Sequence, residues 1–416
     1  INEIGPDLVK FRGIDGFWVG QIATSQVPRD VILGLLDRVD PENKNERLRV
    51  GRFLIQAQWY DEALAELDRL GSSFPELAPT IANVRTTVRD LQTQKALDEA
   101  DRLLTVGQPR SAEALLTTFN SDGASVTLAD AVVKKLRDLQ AENQSHRAFA
   151  SELRSLLDSS SESFRRDLRS ETFELLQALS EVPDAVLPRI APARKTTEDD
   201  GTPVSPEVRL SRALSSWMLG AEHAVDDPAT VRTLWDARTR LLAYLGSTRD
   251  TDRDRILAEL GGSSTAEGEP AADPIDLETA SRLIRQLPPP LAIGERPAEG
   301  VPLIRRVIDD VNPTPTEYAI LLPPEYHPLR SYPAVVALHD GRGARSALDW
   351  WGPEAARNGF IVIAPEYMAP SDSPDYRYSP DEHAAVLLSI RDARKRFSVD
   401  SDRIFLSDEV TGEFQQ

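Results

Sequence analysis

Cysteine is absent from the 416 residues, which excludes disulfides, thiolate-held zinc, iron–sulfur clusters and a thiol nucleophile. The absence does not decide the compartment, because a disulfide-free protein can live on either side of a membrane. Histidine is scarce. His146, His223, His327, His339 and His383 are the full set, and no two stand at metal-ligand spacing, so neither a metal nor a cofactor is expected. No apolar run approaches the ~18–20 residues of a membrane-spanning helix. Cations are outnumbered, 48 Lys and Arg against 67 Asp and Glu, for a net charge of −19. Nucleic acids and anionic membranes are held by clustered cations, so such partners are not expected. The deficit is even: residues 301–416 carry 12 basic and 18 acidic groups. No basic face is legible. The chain opens on Ile1 without a charged-then-apolar leader, and the expectation is a removed signal or a fragment.

What is present over the first 300 residues is Leu, Ala and Arg at helical spacing. Leu48, Val50, Gly51, Leu54 and Ile55 make one apolar face. Gln58 to Ala63 turns into a second helix with Leu64, Leu67 and Leu70, which Phe74-Pro75 closes because Pro cannot continue the ladder. Long helices are predicted at Pro75–Leu104, Ala129–Leu157 and Ser163–Leu179, with Arg, Asp and Glu on solvated faces. A polar break at Ala191–Pro206 precedes a second helical stretch. Leu210, Ala213, Leu214, Trp217 and Met218 form one stripe; Val231, Leu234, Trp235, Leu241, Leu242 and Leu245 form another. Asp227-Pro228 reads as an N-cap with Pro at the first turn. Trp217 and Trp235 are read as core packing, not a stacking platform. Gly261–Pro274 is a linker by composition.

The pair of helices from Lys44 resembles a tetratricopeptide repeat. Gly51 and Ala63 fall at the two small positions, Leu67 and Leu70 at later apolar sites and Pro75 at the closing proline, while Arg47 stands where a Trp is common. A weaker echo runs from Leu103 to Leu116, but Ala112 lies 49 residues after Ala63 instead of 34. The resemblance implies an irregular helical array offering a surface to a protein partner; an ordinary helical hairpin is the alternative.

After Pro290 the pattern changes to short apolar runs between Pro and Gly turns. Strands are predicted at Thr316–Leu322, Tyr332–His339, Phe360–Ala364 and Arg403–Ser407, with helices at Trp350–Asn358 and Pro380–Phe397. In the last helix Ala384, Val386, Leu387, Ile390 and Phe397 are expected to face inward. Continuous apolar strands alternating with helices predict a parallel sheet covered on both faces. The predicted fold is therefore a mostly α, tetratricopeptide-like helical array followed by a truncated α/β sheet. The divisions are a lead segment 1–43, a helical region 44–190, a second helical module 206–290 and an α/β domain 300–416.

Four pieces in order resemble the opening half of an α/β-hydrolase of the prolyl oligopeptidase and esterase branch. Leu322-Pro323-Pro324-Glu325-Tyr326 is similar to its LP.GY opening, and Leu338-His339-Asp340-Gly341-Arg342-Gly343 to its LHG.G oxyanion turn. Asn358 to Pro365 is similar to its NGY.VVAP strand, and Arg391 through Val399-Asp400-Ser401-Asp402-Arg403-Ile404-Phe405-Leu406-Ser407 to its approach to the nucleophile. The resemblance implies a serine hydrolase acting on a small ester or peptide, with Asp340 and Gly341 at the oxyanion hole. It also implies that Gly-x-Ser-x-Gly should follow Ser407, because a strained strand-to-helix turn exposes the hydroxyl beside backbone N–H donors. The chain reads Asp408-Glu409-Val410-Thr411-Gly412 instead. Val410 stands where the nucleophile belongs, and the later acid and histidine of a triad are not encoded, so no catalytic residue is named. Ser407 comes three residues early. His339 reads as structural and His383 as a solvated helix residue; Asp372, Ser373 and Asp375 read as loop, and His327 has no partner that sequence identifies.

Two expectations follow. In the first, a full-length parent hydrolyses an ester or peptide bond through an acyl-enzyme, and the chain as given is inactive. In the second, the protein is a non-enzymatic helical-repeat scaffold. Multidomain members of the resembled branch are often exported, which leans toward a periplasmic or secreted setting.

Overall fold

The computed structural model describes residues 3–5, 7–12, 19–24, 27–261, 274–291, 298–308, 315–339, 342–367 and 379–408. They divide into two compact units, one of residues 1–104 and 109–140, the other of 105–108 and 141–416.

The first unit opens with a three-stranded antiparallel sheet, β1 (Glu3–Ile4), β2 (Leu8–Arg12) and β3 (Val19–Ala23), with Val9 opposite Ile22. Helices were expected across the first 300 residues, so this sheet is a correction. Lys10, Arg12 and Gln21 interrupt any apolar run, and pairing of backbone groups, not composition, makes the strands. Then come α1 (Arg29–Leu36), α2 (Lys44–Gln56), α3 (Tyr60–Ser73), α4 (Ala78–Thr105), α5 (Pro109–Thr118) and α6 (Val126–Ser159), which belongs to this unit as far as Gln140. Asn43 caps α2 by accepting the Glu46 N–H. Helices α2 and α3 form a hairpin. Gly51 lies against Leu70, where an added Cβ would sit 3.8 Å from Cδ1, and Ala63 is fully buried. The buried stripe of α2 runs through Arg47, Val50, Gly51 and Leu54, while Leu48, expected inward, is exposed. Arg47 is inside because its guanidinium meets the buried Glu66 carboxylate on α3. A helical hairpin is what these contacts establish.

In the second unit the remainder of α6 packs with α7 (Glu162–Glu181), α8 (Pro183–Val186), α9 (Pro206–Leu219), α10 (Pro228–Gly246), α11 (Asp250–Leu260) and α12 (Leu277–Gln286). One core joins them, from Phe149 and Leu153 through Leu175 and Leu214 to Trp235 and Leu283. Each such side chain contributes roughly 1.5–3 kcal/mol on burial. The Asp227 cap holds, its carboxylate accepting the Thr230 N–H at 2.9 Å. Trp217 and Trp235 pack with centroids 5.9 Å apart and Arg238 over both rings, as core residues. Most of the linker read at 261–274 lies outside the described residues.

The sheet of this unit comprises β4 (Leu303–Val307), β5 (Thr316–Leu321), β6 (Tyr332–Leu338), β7 (Ile361–Glu366) and β8 (Val399–Asp408), with helices α13 (Ala344–Arg357) and α14 (Pro380–Arg396). Its order is β4-β5-β7-β6-β8. The expectation of a parallel sheet is corrected: β4 and β5 are antiparallel, as are β5 and β7, and only β6–β7 and β6–β8 are parallel. Strand β4 was not foreseen, since Arg305 and Arg306 break its apolar pattern.

The two faces are covered by different helices. Ala319, Leu321, Val335, Ala337, Val362 and Ala364 pack with Ala347, Leu348 and Ala355 of α13. Gly352 lets α13 approach closely there, since a Cβ would fall 2.8 Å from Leu321 Cδ2 and push that side chain aside. Tyr318, Ile320, Ala334, Ile361 and Ile363 pack on the other face with Ala393 and Phe397. Helix α14 begins with a capping box between Ser379 and Glu382. Its buried stripe is Glu382, Ala385, Ser389 and Ala393, so Leu387, expected inward, is exposed instead. Small residues let α14 approach the sheet closely, and the stripe follows them. Among the described residues no helix is long and apolar enough to cross a membrane.

Candidate functional site

Strand β6 leads into α13 on one face and its neighbour β7 leads into α14 on the other. Adjacent strands that send the chain to opposite faces leave a crevice at their carboxyl ends, where α/β folds place their ligands. His339 follows β6 there, and Glu366 and Tyr367 close β7.

These three side chains form one cluster. The buried His339 imidazole has Nε2 3.2 Å from Glu366 Oε1. Tyr367 donates its hydroxyl to the His339 carbonyl at 2.5 Å, with the two rings 4.7 Å apart. Glu366 Oε2 accepts the Ala344 N–H at 3.0 Å and so serves the first turn of α13. Gly343, with φ +87°, makes the bend before that helix and faces the same carboxylate. The adjacent His339 imidazole holds the Glu366 carboxyl below its ordinary range; partial burial opposes this, and the Ala344 N–H adds to it.

Chemically this is an orienting pair. A carboxylate facing Nε2 sets the imidazole tautomer and its rotation. The amino end of α13 already receives a carboxylate, so it is not an open anion site. Ser407, the early hydroxyl candidate, stands on β8 opposite Ala337 and lies within the strand. Ser346 donates its hydroxyl to the Gly343 carbonyl at 2.9 Å. Among the described residues no group of three or more His, Asp or Glu could hold a metal ion.

The oxyanion pair Asp340 and Gly341 lies outside the described residues, as do Asp372, Ser373, Asp375, Val410 and Gly412. His383 is exposed on α14, away from the buried stripe. His327 has a partner that sequence could not name. Its Nδ1 accepts the Leu329 N–H at 3.2 Å, so Nε2 donates to Glu181 at 2.7 Å. Glu366 and Tyr367 were not foreseen. Their signal was a carboxylate and a phenol directly after the apolar run Phe360–Ala364, at the carboxyl end of a buried strand.

No protein-family model matches the chain, and no curated protein matches it. Among solved structures it is similar to one described as the crystal structure of a thermostable esterase. The identity is 22% and the TM-score 0.21, over 26% of this chain and 33% of that one. The chain thus spans a third of that esterase's length, and a likeness of this size decides neither fold nor activity.

Proposed function

We propose that residues 300–416 are the opening half of an α/β-hydrolase domain and that the parent protein is a serine hydrolase acting on a small ester or peptide. The observation that carries this reading is the strand order β4-β5-β7-β6-β8 with β5 antiparallel. It supports the resemblance of the four sequence pieces, since such a sheet opens in that order and the His339 turn then falls at the crevice. In this reading His339 is a positioning residue of the oxyanion turn, held by Glu366 and Tyr367. The nucleophile would follow β8. The 416 residues contain no Gly-x-Ser-x-Gly, so this chain by itself does not turn over esters.

The test has two arms, each read with p-nitrophenyl acetate. The purified 416-residue chain should give no hydrolysis above background. A chain continued along its coding sequence past codon 407, in whichever frame restores Gly-x-Ser-x-Gly, should hydrolyse the ester and be blocked by a serine-directed inhibitor. Inhibitor-sensitive turnover by the 416-residue chain, or no such motif in any frame, overturns the reading.

The α2–α3 hairpin favours a second reading, a protein-binding scaffold built on tetratricopeptide-like helices. Gly51 against Leu70 and the buried Ala63 support it. Limited proteolysis that removes residues 301–416 and leaves a partner-capturing helical core would favour it over the first.

A further inference from the structure

The protein carries a net charge of −19, yet one cavity of the second unit is walled by cations. We propose that this cavity, about 690 Å³ at the amino-terminal ends of β6 and β8, binds a small organic anion bearing phosphate groups. It lies at the opposite end of the sheet from His339 and does not depend on the hydrolase reading.

Arg189, Arg253, Arg285, Arg391, Arg394 and Lys395 line it, and among the described residues no Asp or Glu does. None of the six has a carboxylate within ion-pair distance among those residues. A seventh cation, Arg330, is excluded from the count because Asp184 takes it at 2.9 and 2.6 Å. The contrast with other arginines is plain: Arg212 is held by Asp226 and Glu198, and Arg238 by Glu174.

Two of these guanidiniums carry buried nitrogens without a hydrogen-bond partner, Nη1 of Arg189 and Nε of Arg253, the latter group lying 5.7 Å over the Tyr244 ring. A buried unmet donor costs its desolvation. Arg189 makes one long bond, from Nη2 to the Leu329 carbonyl at 3.4 Å. Lys395 is held below the ordinary lysine range, first by partial burial and then by the positive charges of Arg391 and Arg253, against the smaller opposing pull of Asp392. These cations repel one another, and an anion of two or more charges offsets that repulsion.

Guanidinium forks match phosphate oxygens in pairs. The lining also includes apolar groups, Tyr244, Leu287, Pro288, Pro290, Leu329 and Phe397. A lining of cations and apolar groups together, in a volume within the ~300–1,000 Å³ of small-molecule sites, fits a phosphate attached to a flat or apolar body. The cavity is held in shape by backbone bonds, Leu291 N–H to the Lys395 carbonyl at 3.0 Å and Tyr332 N–H to the Ser398 carbonyl at 2.9 Å.

Titration calorimetry of the full 416-residue chain at low salt tests the assignment, with inorganic pyrophosphate, ADP and citrate as probes. Pyrophosphate should bind at one saturable site and ADP more tightly, through the apolar groups. The double variant Arg391→Ala/Arg394→Ala, both exposed on α14, should weaken pyrophosphate by about tenfold or more, the loss of two charge-assisted contacts. Arg345→Ala, exposed on α13 and paired with Asp349, should leave binding unchanged. Four results overturn the proposal: no saturable binding, affinity unaltered in the double variant, ADP no tighter than pyrophosphate, or citrate tighter than pyrophosphate.

Discussion

Strands β7 and β8 read alike in sequence, Phe360-Ile361-Val362-Ile363-Ala364 against Arg403-Ile404-Phe405-Leu406-Ser407, and meet different fates. Ile361, Val362, Ile363 and Ala364 have no exposure, whereas Phe405 is 53% and Leu406 66% exposed. Strand β7 has β5 on one side, β6 on the other and a helix over each face. Among the described residues β8 has β6 alone. An apolar run therefore specifies a strand, and its neighbours specify whether that strand is core or surface. An apolar edge strand is also a template for further pairing.

The largest expected effect is in the centre. Ile363→Ala should cost about 2–5 kcal/mol in urea unfolding, from the cavity it leaves. Leu406→Ala should stay within about 0.5 kcal/mol, as a surface change does. Equal losses at the two positions would break the comparison. On β5, the other neighbour of β7, Tyr318→Phe removes the hydrogen bond from the phenol to Asp392 Oδ2 at 2.8 Å. That should cost about 0.5–1.5 kcal/mol, since Asp392 keeps Arg396.

At the carboxyl end of β7 the expected effect is smaller and depends on pH. The Glu366 carboxyl titrates below its ordinary value of 4.5, mainly through His339. Its ionised form is favoured in the folded state. The contribution is present above the ordinary value and lost as pH falls through the lowered one. The side chain is 45% exposed, so solvent screening keeps this under about 1 kcal/mol. Glu366→Gln should lower Tm slightly at pH 7 and flatten its decline as pH falls below the ordinary value of 4.5. A Tm profile parallel to the parent's would remove the His339–Glu366 pair from the stability account. The smallest effect on stability is expected from Leu406→Lys on β8, within about 0.5 kcal/mol, with reduced self-association in light scattering.

Much of the second unit's architecture was legible. Strands β5 to β8 begin or end within a few residues of their predicted places, because each carries a continuous apolar or β-branched run. Residues such as Leu210, Leu214 and Trp217 sit in the core at the spacing that marked them. Strands β1 to β4 were missed because they are short or interrupted by charge. Leu48 and Leu387 were placed inward on hydrophobicity alone, while Arg47 and Ser389, which pair or pack closely, took the buried positions.

The candidate site was half visible. His339 was named, but its neighbours Glu366 and Tyr367 come over twenty residues later, at the end of β7, and meet it only through the parallel register of β6 and β7. The cationic cavity was invisible. Its basic residues are spread from Arg189 to Lys395 in a chain whose charge deficit is even along its length.

Residue order by itself determined the local elements: apolar periodicity and caps such as Asp227 and Ser379 act over a few positions, where chain connectivity keeps the partners together. Tertiary structure alone decided the mixed pairing of the sheet, the burial of β7 against the exposure of β8, and the gathering of six unpaired cations around one cavity. Those outcomes depend on which distant segments become neighbours, and distances across space are set by packing, not by spacing along the chain.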